Sequence, residues 1–278
     1  MYFEEDWDTG IGGGLWSTGL AIGKYLTTSN NQHAKQLLVE LSRRKDSRCD
    51  TSSMTASPSS TVSPLTVLEL GSGNGFLAVC LLALAQHVRT QQQQQQQQRA
   101  SDTPVPLLIR DLVITDTQDH LDMIRTTLEA NAHLLGSDDN TDPSPSCRVQ
   151  VLEHLWGEFQ EPTISHTNDF GRKESGETIK EGIRPEQVQE GTCTFDLIVG
   201  SDLAYRKELY DPLIASLQRF SSPHTVSMIG VTMADTTPSF FRKLSDAGFT
   251  YVRMADHLMD REFRGNLFGI FLISKKDT

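Results

Sequence analysis

Apolar positions along this chain follow two rhythms that take turns over most of its length. Residues 66–70, 112–116, 195–202, 225–233 and 267–274 are short, largely apolar runs rich in Val, Ile and Leu, and they predict strands. The run at 195–202 is apolar almost throughout, as in a strand buried on both faces. Between these runs apolar residues recur at helical spacing, over 75–88, 207–220 and 238–247, the last stopped by Gly248. The segment 119–135 places Leu121, Ile124, Leu128, Ala132 and Leu135 on one helical face. Residues 148–155 alternate like a strand, and 250–255 adds another with no helix before 267–274. Strands alternating with helices predict an α/β protein with a doubly wound, mostly parallel seven-stranded sheet and right-handed crossovers. The last two strands predict an antiparallel hairpin at its edge.

Upstream, Gly10-Ile11-Gly12-Gly13-Gly14-Leu15-Trp16-Ser17 predicts a loop ahead of a short helix, with Ser17 as N-cap and Leu20, Ile22, Tyr25 and Leu26 on its buried side. A second helix over 32–45 carries Leu37, Leu38 and Leu41. Trp7 has no sign of a role beyond packing.

Three stretches break the pattern. Residues 46–64 are Ser/Thr/Pro-rich, residues 90–106 hold a pure glutamine run from Gln91 to Gln98, and 159–194 is charged and aperiodic. Such compositions bury too little to offset the entropy of ordering. The chain therefore divides into an N-terminal segment 1–45 packing over the functional site, a disordered linker 46–64, and a catalytic-type domain 65–278 with insertions near 90–106 and 159–194.

Charge narrows the partners. The formal net charge of this 278-residue chain is −11, and no dense basic patch offsets it. A phosphate backbone would be repelled, whereas a lysine- or arginine-rich protein surface would not. Four scattered cysteines, Cys49, Cys80, Cys147 and Cys193, show no metal spacing and read as free thiols of a reducing compartment. No metal site is expected. No apolar run approaches the ~20 residues of a membrane span, and the acidic Met1–Asp6 stretch lacks the features of a signal peptide. The expectation is a monomer in the cytoplasm, with the nucleus also open.

The chemistry concentrates at Glu69-Leu70-Gly71-Ser72-Gly73-Asn74-Gly75-Phe76. An apolar strand ends in an acidic residue, and alternating glycines then launch a helix. Glycines let a ligand lie against bare backbone, and the helix start offers unpaired N–H groups. The spacing is GxGxG rather than the dinucleotide GxGxxG, and Phe76 stands where the third glycine would be. NAD and FAD are thereby disfavoured. A second acidic strand end, expected about 20 residues on to hold a ribose diol, is Asp116 once the glutamine insertion is excised.

These residues resemble motif I of the class I, seven-β-strand S-adenosylmethionine-dependent methyltransferases, whose fold is Rossmann-like. Leu15-Trp16, Thr115-Asp116, Leu155-Trp156-Gly157 and Asp202-Leu203-Ala204-Tyr205 narrow the resemblance to methyltransferase family 16, the seven-β-strand protein lysine methyltransferases. The resemblance implies S-adenosyl-L-methionine as cofactor and a lysine-bearing protein as substrate. It also implies that Gly71, Ser72, Gly73 and Gly75 form the cofactor loop, the first three passing beneath methionine and ribose. Asp116 would bind both ribose hydroxyls, Trp156 would contact adenine, Ser201 would line the pocket and Trp16 would close it. Glu69 would either reach the cofactor's amino group through water or hold the N–H groups of the loop. Asp202 and Tyr205 would form the catalytic pair facing the amine.

Two other functions fit part of the pattern. The Asp202–Tyr205 stretch is similar to the (D/N)PPY of amino-methyltransferases acting on nucleic acid, with Leu203-Ala204 replacing the prolines, and a small-molecule methyltransferase is a further enzyme alternative. A catalytically inactive methyltransferase-like scaffold would keep the fold without turnover.

Overall fold

The computed structural model describes residues 2, 3, 5, 8, 13–28, 32–49, 63–99, 108–134, 147–158, 194–265 and 267–276. Its sheet has seven strands: β1 (Leu65–Leu70), β2 (Ile109–Asp116), β3 (Arg148–Glu153), β4 (Phe195–Ser201), β5 (Ser221–Thr232), β6 (Phe249–Arg253) and β7 (Phe268–Lys275). Their order is β3-β2-β1-β4-β5-β7-β6. β1 pairs in parallel with β2 and β4, and β4 with β5; β7 is antiparallel to both β5 and β6. The fold is Rossmann-like, as expected. The hairpin is less simple than expected, because β7 inserts between β5 and β6 and leaves β6 as the edge.

The helices are α1 (Ser17–Thr27), α2 (Gln32–Cys49), α3 (Phe76–Arg99), α4 (Leu121–Ala130), α5 (Tyr210–Phe220) and α6 (Pro238–Asp246). They cover both faces of the sheet, and the period-2 alternation of β1 sorts its side chains between them. Leu65 and Val67 join α1–α4 in one core; Leu68 and Leu70 join α5 and α6 in the other. Every residue of β1 is buried, as a central parallel strand requires.

Several boundaries depart from expectation. α3 runs on through the glutamine tract to Arg99 instead of ending near Val88. Its apolar first half is packed, so the costly nucleus exists already, and glutamine propagates a helix well. The predicted helix over 119–135 holds only ten α-helical residues, with 3-10 turns at Gln118–His120 and Ala132–Leu134. Residues 46–49 of the predicted linker complete α2; 50–62, most of the 159–194 insertion, Trp7 and Leu135 lie outside the described residues. Among the described residues no helix is long and apolar enough to cross a membrane.

α1 packs against α3 and against β4, β5 and β7 of the sheet. It buries Ile22, Tyr25 and Leu26 as the sequence implied, and Ala21 with them, whereas Leu20 is only half-buried. Its N-cap is Trp16, with Ser17 as the first helical residue and no side-chain cap from Trp16 itself. The helix approaches α3 so closely that a Cβ on Gly23 would lie 2.4 Å from the Phe76 ring.

Helix propensity and packing oppose each other at Gly23. Gly→Ala inside a helix gains up to about 1 kcal/mol, but overpacking against a buried ring costs about 1–3 kcal/mol. Packing wins here, because the Phe76 ring is itself buried. Gly23→Ala is expected to lower the thermal midpoint by a few degrees, about 2–4 °C per kcal/mol at this size. A rise in the calorimetric midpoint would show that α1 is not clamped on α3.

Candidate active site

The order of the sheet reverses between β1 and β4, and crevices at such switch points receive ligands at the strands' carboxyl ends. A cavity of about 620 Å³ lies there, within the range of about 300–1,000 Å³ typical of cofactor sites.

Its floor is the loop after β1. Gly71, Gly73 and Gly75 all have positive φ, at 59°, 60° and 82°, which side-chain-bearing residues seldom adopt. A Cβ on Gly71 would stand 2.8 Å from both the Trp156 ring and the Leu203 side chain. The loop is tied down on each side. Ser72 N–H donates to Thr115 O at 3.0 Å, Gly73 N–H donates to Asp116 Oδ2 at 2.7 Å, and Phe76 N–H donates to Asn74 Oδ1 at 3.2 Å as α3 begins.

Asp116 closes one wall. Its Oδ1 accepts from Thr117 N–H at 2.7 Å and lies 2.7 Å from His120 Nδ1. Oδ2 takes only the Gly73 N–H among the described residues, so an acceptor position is left over on a carboxylate oxygen at the cavity wall. Bare glycine backbone with a carboxylate acceptor beside it fits a ribose-bearing cofactor.

Glu69 stands apart. It is 1% exposed, on the α3 side of β1, and does not line the cavity. Burial pushes its carboxyl up to about 8; the Ser72 hydroxyl pulls it down, the Asp116 charge raises it further, and the Ala78 N–H at the start of α3 lowers it. Of the two roles the sequence left open, this position fits the one that supports the loop and helix start.

The opposite wall comes from the end of β4. Asp202 has φ 53°, the sole positive φ outside glycine among the described residues. Its N–H donates to Gly230 O at 2.9 Å and to Thr18 Oγ1 at 3.0 Å. Its Oδ2 accepts from Thr18 N–H at 3.1 Å and Thr18 Oγ1 at 2.7 Å, and its Oδ1 accepts from Thr232 Oγ1 at 2.7 Å. The carboxylate thus caps α1 while facing the cavity. Tyr205 is exposed at the mouth, with the Arg206 guanidinium 5.5 Å from its ring centroid. Leu203 and Ala204 between them are buried, and Thr236 Oγ1 donates to Ala204 O at 2.9 Å.

Trp156 is placed from behind. Gly157 N–H donates to Ser216 Oγ at 3.0 Å, and that hydroxyl lies 3.0 Å from His154 Nε2. Burial lowers the pKa of His154, in keeping with a neutral ring.

Of the residues singled out from sequence, Trp16, Gly71, Ser72, Gly73, Asp116, Trp156, Ser201, Asp202 and Tyr205 all line this cavity. Gly75 lies behind it, where φ 82° shapes the turn into α3. Thr18, His120, His154, Ser216 and Thr232 were not legible: single polar residues on ordinary helices and strands carry no spacing signal. Cys80 and Cys147 are free thiols, pushed by burial up to about 12, and so are poor nucleophiles at neutral pH. Among the described residues no cluster of His, Cys, Asp and Glu could hold a metal.

A Rossmann-like seven-stranded sheet with this glycine loop and a carboxylate beside it is that of a class I methyltransferase whose cofactor is S-adenosylmethionine. The chain belongs to methyltransferase family 16, described as lysine methyltransferase, whose model matches residues 1–169. Among curated proteins none matches. Similar solved structures include a ribosomal protein L11 methylase from Lactobacillus delbrueckii subsp. bulgaricus, 18% identical over 89% of this chain and 81% of that one, with TM-score 0.42. A precorrin-6y C5,15-methyltransferase from Geobacter metallireducens GS-15 is 12% identical over 90% and 91%, with TM-score 0.39. A SAM-dependent methyltransferase from Aquifex aeolicus is 15% identical over 76% and 82%, with TM-score 0.41.

The Glu69 proton has a consequence for stability. The folded carboxyl keeps its proton to about pH 8, against an ordinary value of 4.5. Its contribution is therefore complete below about pH 4.5 and is lost as pH rises through about 8. Glu69→Gln imitates the neutral acid and is expected to flatten the fall in thermal midpoint of the ligand-free protein across that window. Parallel wild-type and variant curves would mean that Glu69 is ionised in the fold.

Proposed function

We propose that this methyltransferase acts on the side-chain amine of a lysine in another protein. The observation that carries the reading is the pairing of a fixed carboxylate, Asp202, with the exposed ring of Tyr205 on the wall of the cavity whose floor is the glycine loop. The family description, lysine methyltransferase, supports it, and the acidic net charge of −11 suits a basic partner.

S-adenosylmethionine supplies, when bound, an electrophilic methyl group on a sulfonium sulfur. Gly71, Ser72 and Gly73 would lie beneath it, Asp116 would accept from the ribose, and Trp16 and Trp156 would enclose it. The chain's remaining task concerns the amine. A lysine side chain with pKa about 10.4 arrives as an ammonium. The Asp202 carboxylate attracts and orients that charge, and the Tyr205 ring offers it a π face. Desolvation in the cavity then favours the neutral amine, and the proton leaves to water from the mouth. Asp202 need not accept it.

The test is to incubate the recombinant protein with labelled S-adenosylmethionine and cell lysate, then separate protein, nucleic-acid and small-molecule fractions. Label on protein, resolved by mass spectrometry to methyl-lysine, is the expected result. Label in nucleic acid or small molecules would overturn the lysine reading, and binding of S-adenosylhomocysteine without any transfer would favour a scaffold. Asp202→Asn keeps an acceptor for Thr18 but removes the charge. It should lower methylation by about 30-fold or more, as loss of a charge-paired contact worth about 2–5 kcal/mol implies. Cofactor affinity should change little; an unimpaired rate would exclude the ammonium role.

A further inference from the structure

Thr18 and Thr232 stand outside every motif of the sequence, yet they account for all the side-chain hydrogen bonds to Asp202 found among the described residues. We infer that the two threonine hydroxyls are positioning residues, which fasten the N-terminal helix α1 to the end of β4 and thereby set both the cofactor wall at Trp16 and the direction of the Asp202 carboxylate. The inference rests on the reading of this cavity as the site of cofactor and amine.

Geometry supports it from three sides. Thr18 and Asp202 exchange bonds in both directions: Asp202 N–H donates to Thr18 Oγ1 at 3.0 Å while Thr18 Oγ1 donates to Asp202 Oδ2 at 2.7 Å. Thr18 N–H, otherwise an orphan at the first turn of a helix, donates to the same oxygen at 3.1 Å. The carboxylate thus takes the capping role that the sequence assigned to Ser17.

Next, the space for Thr18 is built into β5. A Cβ on Gly230 would stand 2.6 Å from Thr18 Oγ1. Thr18 is accordingly 0% exposed, although it lies two residues from the 40%-exposed Trp16. Register then brings Thr232 to the same carboxylate, since Ser201 pairs with Gly230 and β5 continues two residues further.

Finally, the left-handed conformation of Asp202, φ 53°, is one that a non-glycine residue keeps only where its surroundings impose it. Two acceptors for its N–H and three donors to its carboxylate are such surroundings. Without the Thr18 hydroxyl the N-terminus of α1 and the carboxylate are joined by a single backbone N–H. Trp16, immediately before that turn, then loses its fixed place on the cavity wall.

The experiment compares Thr18→Val, Thr18→Ser, Thr232→Val and Thr232→Ser in the full chain. Affinity for S-adenosylhomocysteine is measured by calorimetry, and backbone amide exchange over residues 16–20 is measured in the ligand-free protein. Valine keeps the branched shape and deletes the hydroxyl; serine keeps the hydroxyl. Thr18→Val is expected to raise the dissociation constant and speed exchange, each by roughly tenfold, the size expected for a lost hydrogen bond to a charged group. Thr18→Ser should restore most of both. Thr232→Val, which frees only Oδ1, should leave exchange in α1 near wild type. It should slow methyl transfer at saturating cofactor, with Thr232→Ser restoring the rate. Wild-type affinity and exchange in Thr18→Val, or a serine variant as impaired as valine, would overturn the inference. Failure of the wild type to bind S-adenosylhomocysteine would instead overturn the reading of the cavity, and exchange in α1 would still decide on the latch.

Discussion

Three parallel strands, β1, β2 and β4, finish at one end of the sheet, and each carries a carboxylate there: Glu69, Asp116 and Asp202. A buried carboxylate is costly unless donors meet it, and a helix or loop start is costly unless its N–H groups find acceptors. The two problems solve each other at Asp116 and Asp202, whereas Glu69, whose Oε2 is buried without a partner among the described residues, keeps its proton instead. Glu69 meets the Ala78 N–H of α3, Asp116 meets Gly73 and Thr117, and Asp202 meets Thr18 of α1. The cavity occupies the space these pairings frame.

The three carboxylates part company through burial. Glu69 is sealed beneath α3, so its proton is retained and it acts as a neutral strut. Asp116 sits at the wall with both oxygens held and an acceptor position left over. Asp202 also reaches the cavity, with Oδ2 holding α1 and Oδ1 held by Thr232 of β5. Carboxylates at or beside the ends of three neighbouring strands thus give a buried neutral strut, an acceptor on the cavity wall and an oriented charge. Depth below the surface and the number of donors decide among them.

Much of this was legible beforehand, for identifiable reasons. Strand ends are marked by apolar runs stopping at a carboxylate, so Glu69, Asp116 and Asp202 could be found without coordinates. Alternating glycines mark backbone that must turn with positive φ, and Gly71, Gly73 and Gly75 do so. Trp16 and Trp156 could be connected to the same site only through a family resemblance, because a tryptophan in a loop carries no address of its own. The boundary of α3 is not legible at the glutamine tract, because low complexity does not by itself end a helix. A helix already nucleated by packed leucines extends through residues that merely tolerate it.

Local pattern determined the strands, the helices and the loop chemistry of this protein, because each depends on residues within a turn or two of one another. Tertiary structure alone decided how distant polar residues divide the work. Thr18 and Asp202 are 184 positions apart, and Ser216 supports a turn 59 positions before it. Neither pairing leaves a periodic trace in the chain. Such contacts arise from how deeply α1 and α5 seat on the sheet, which glycines such as Gly230 permit by omitting a side chain.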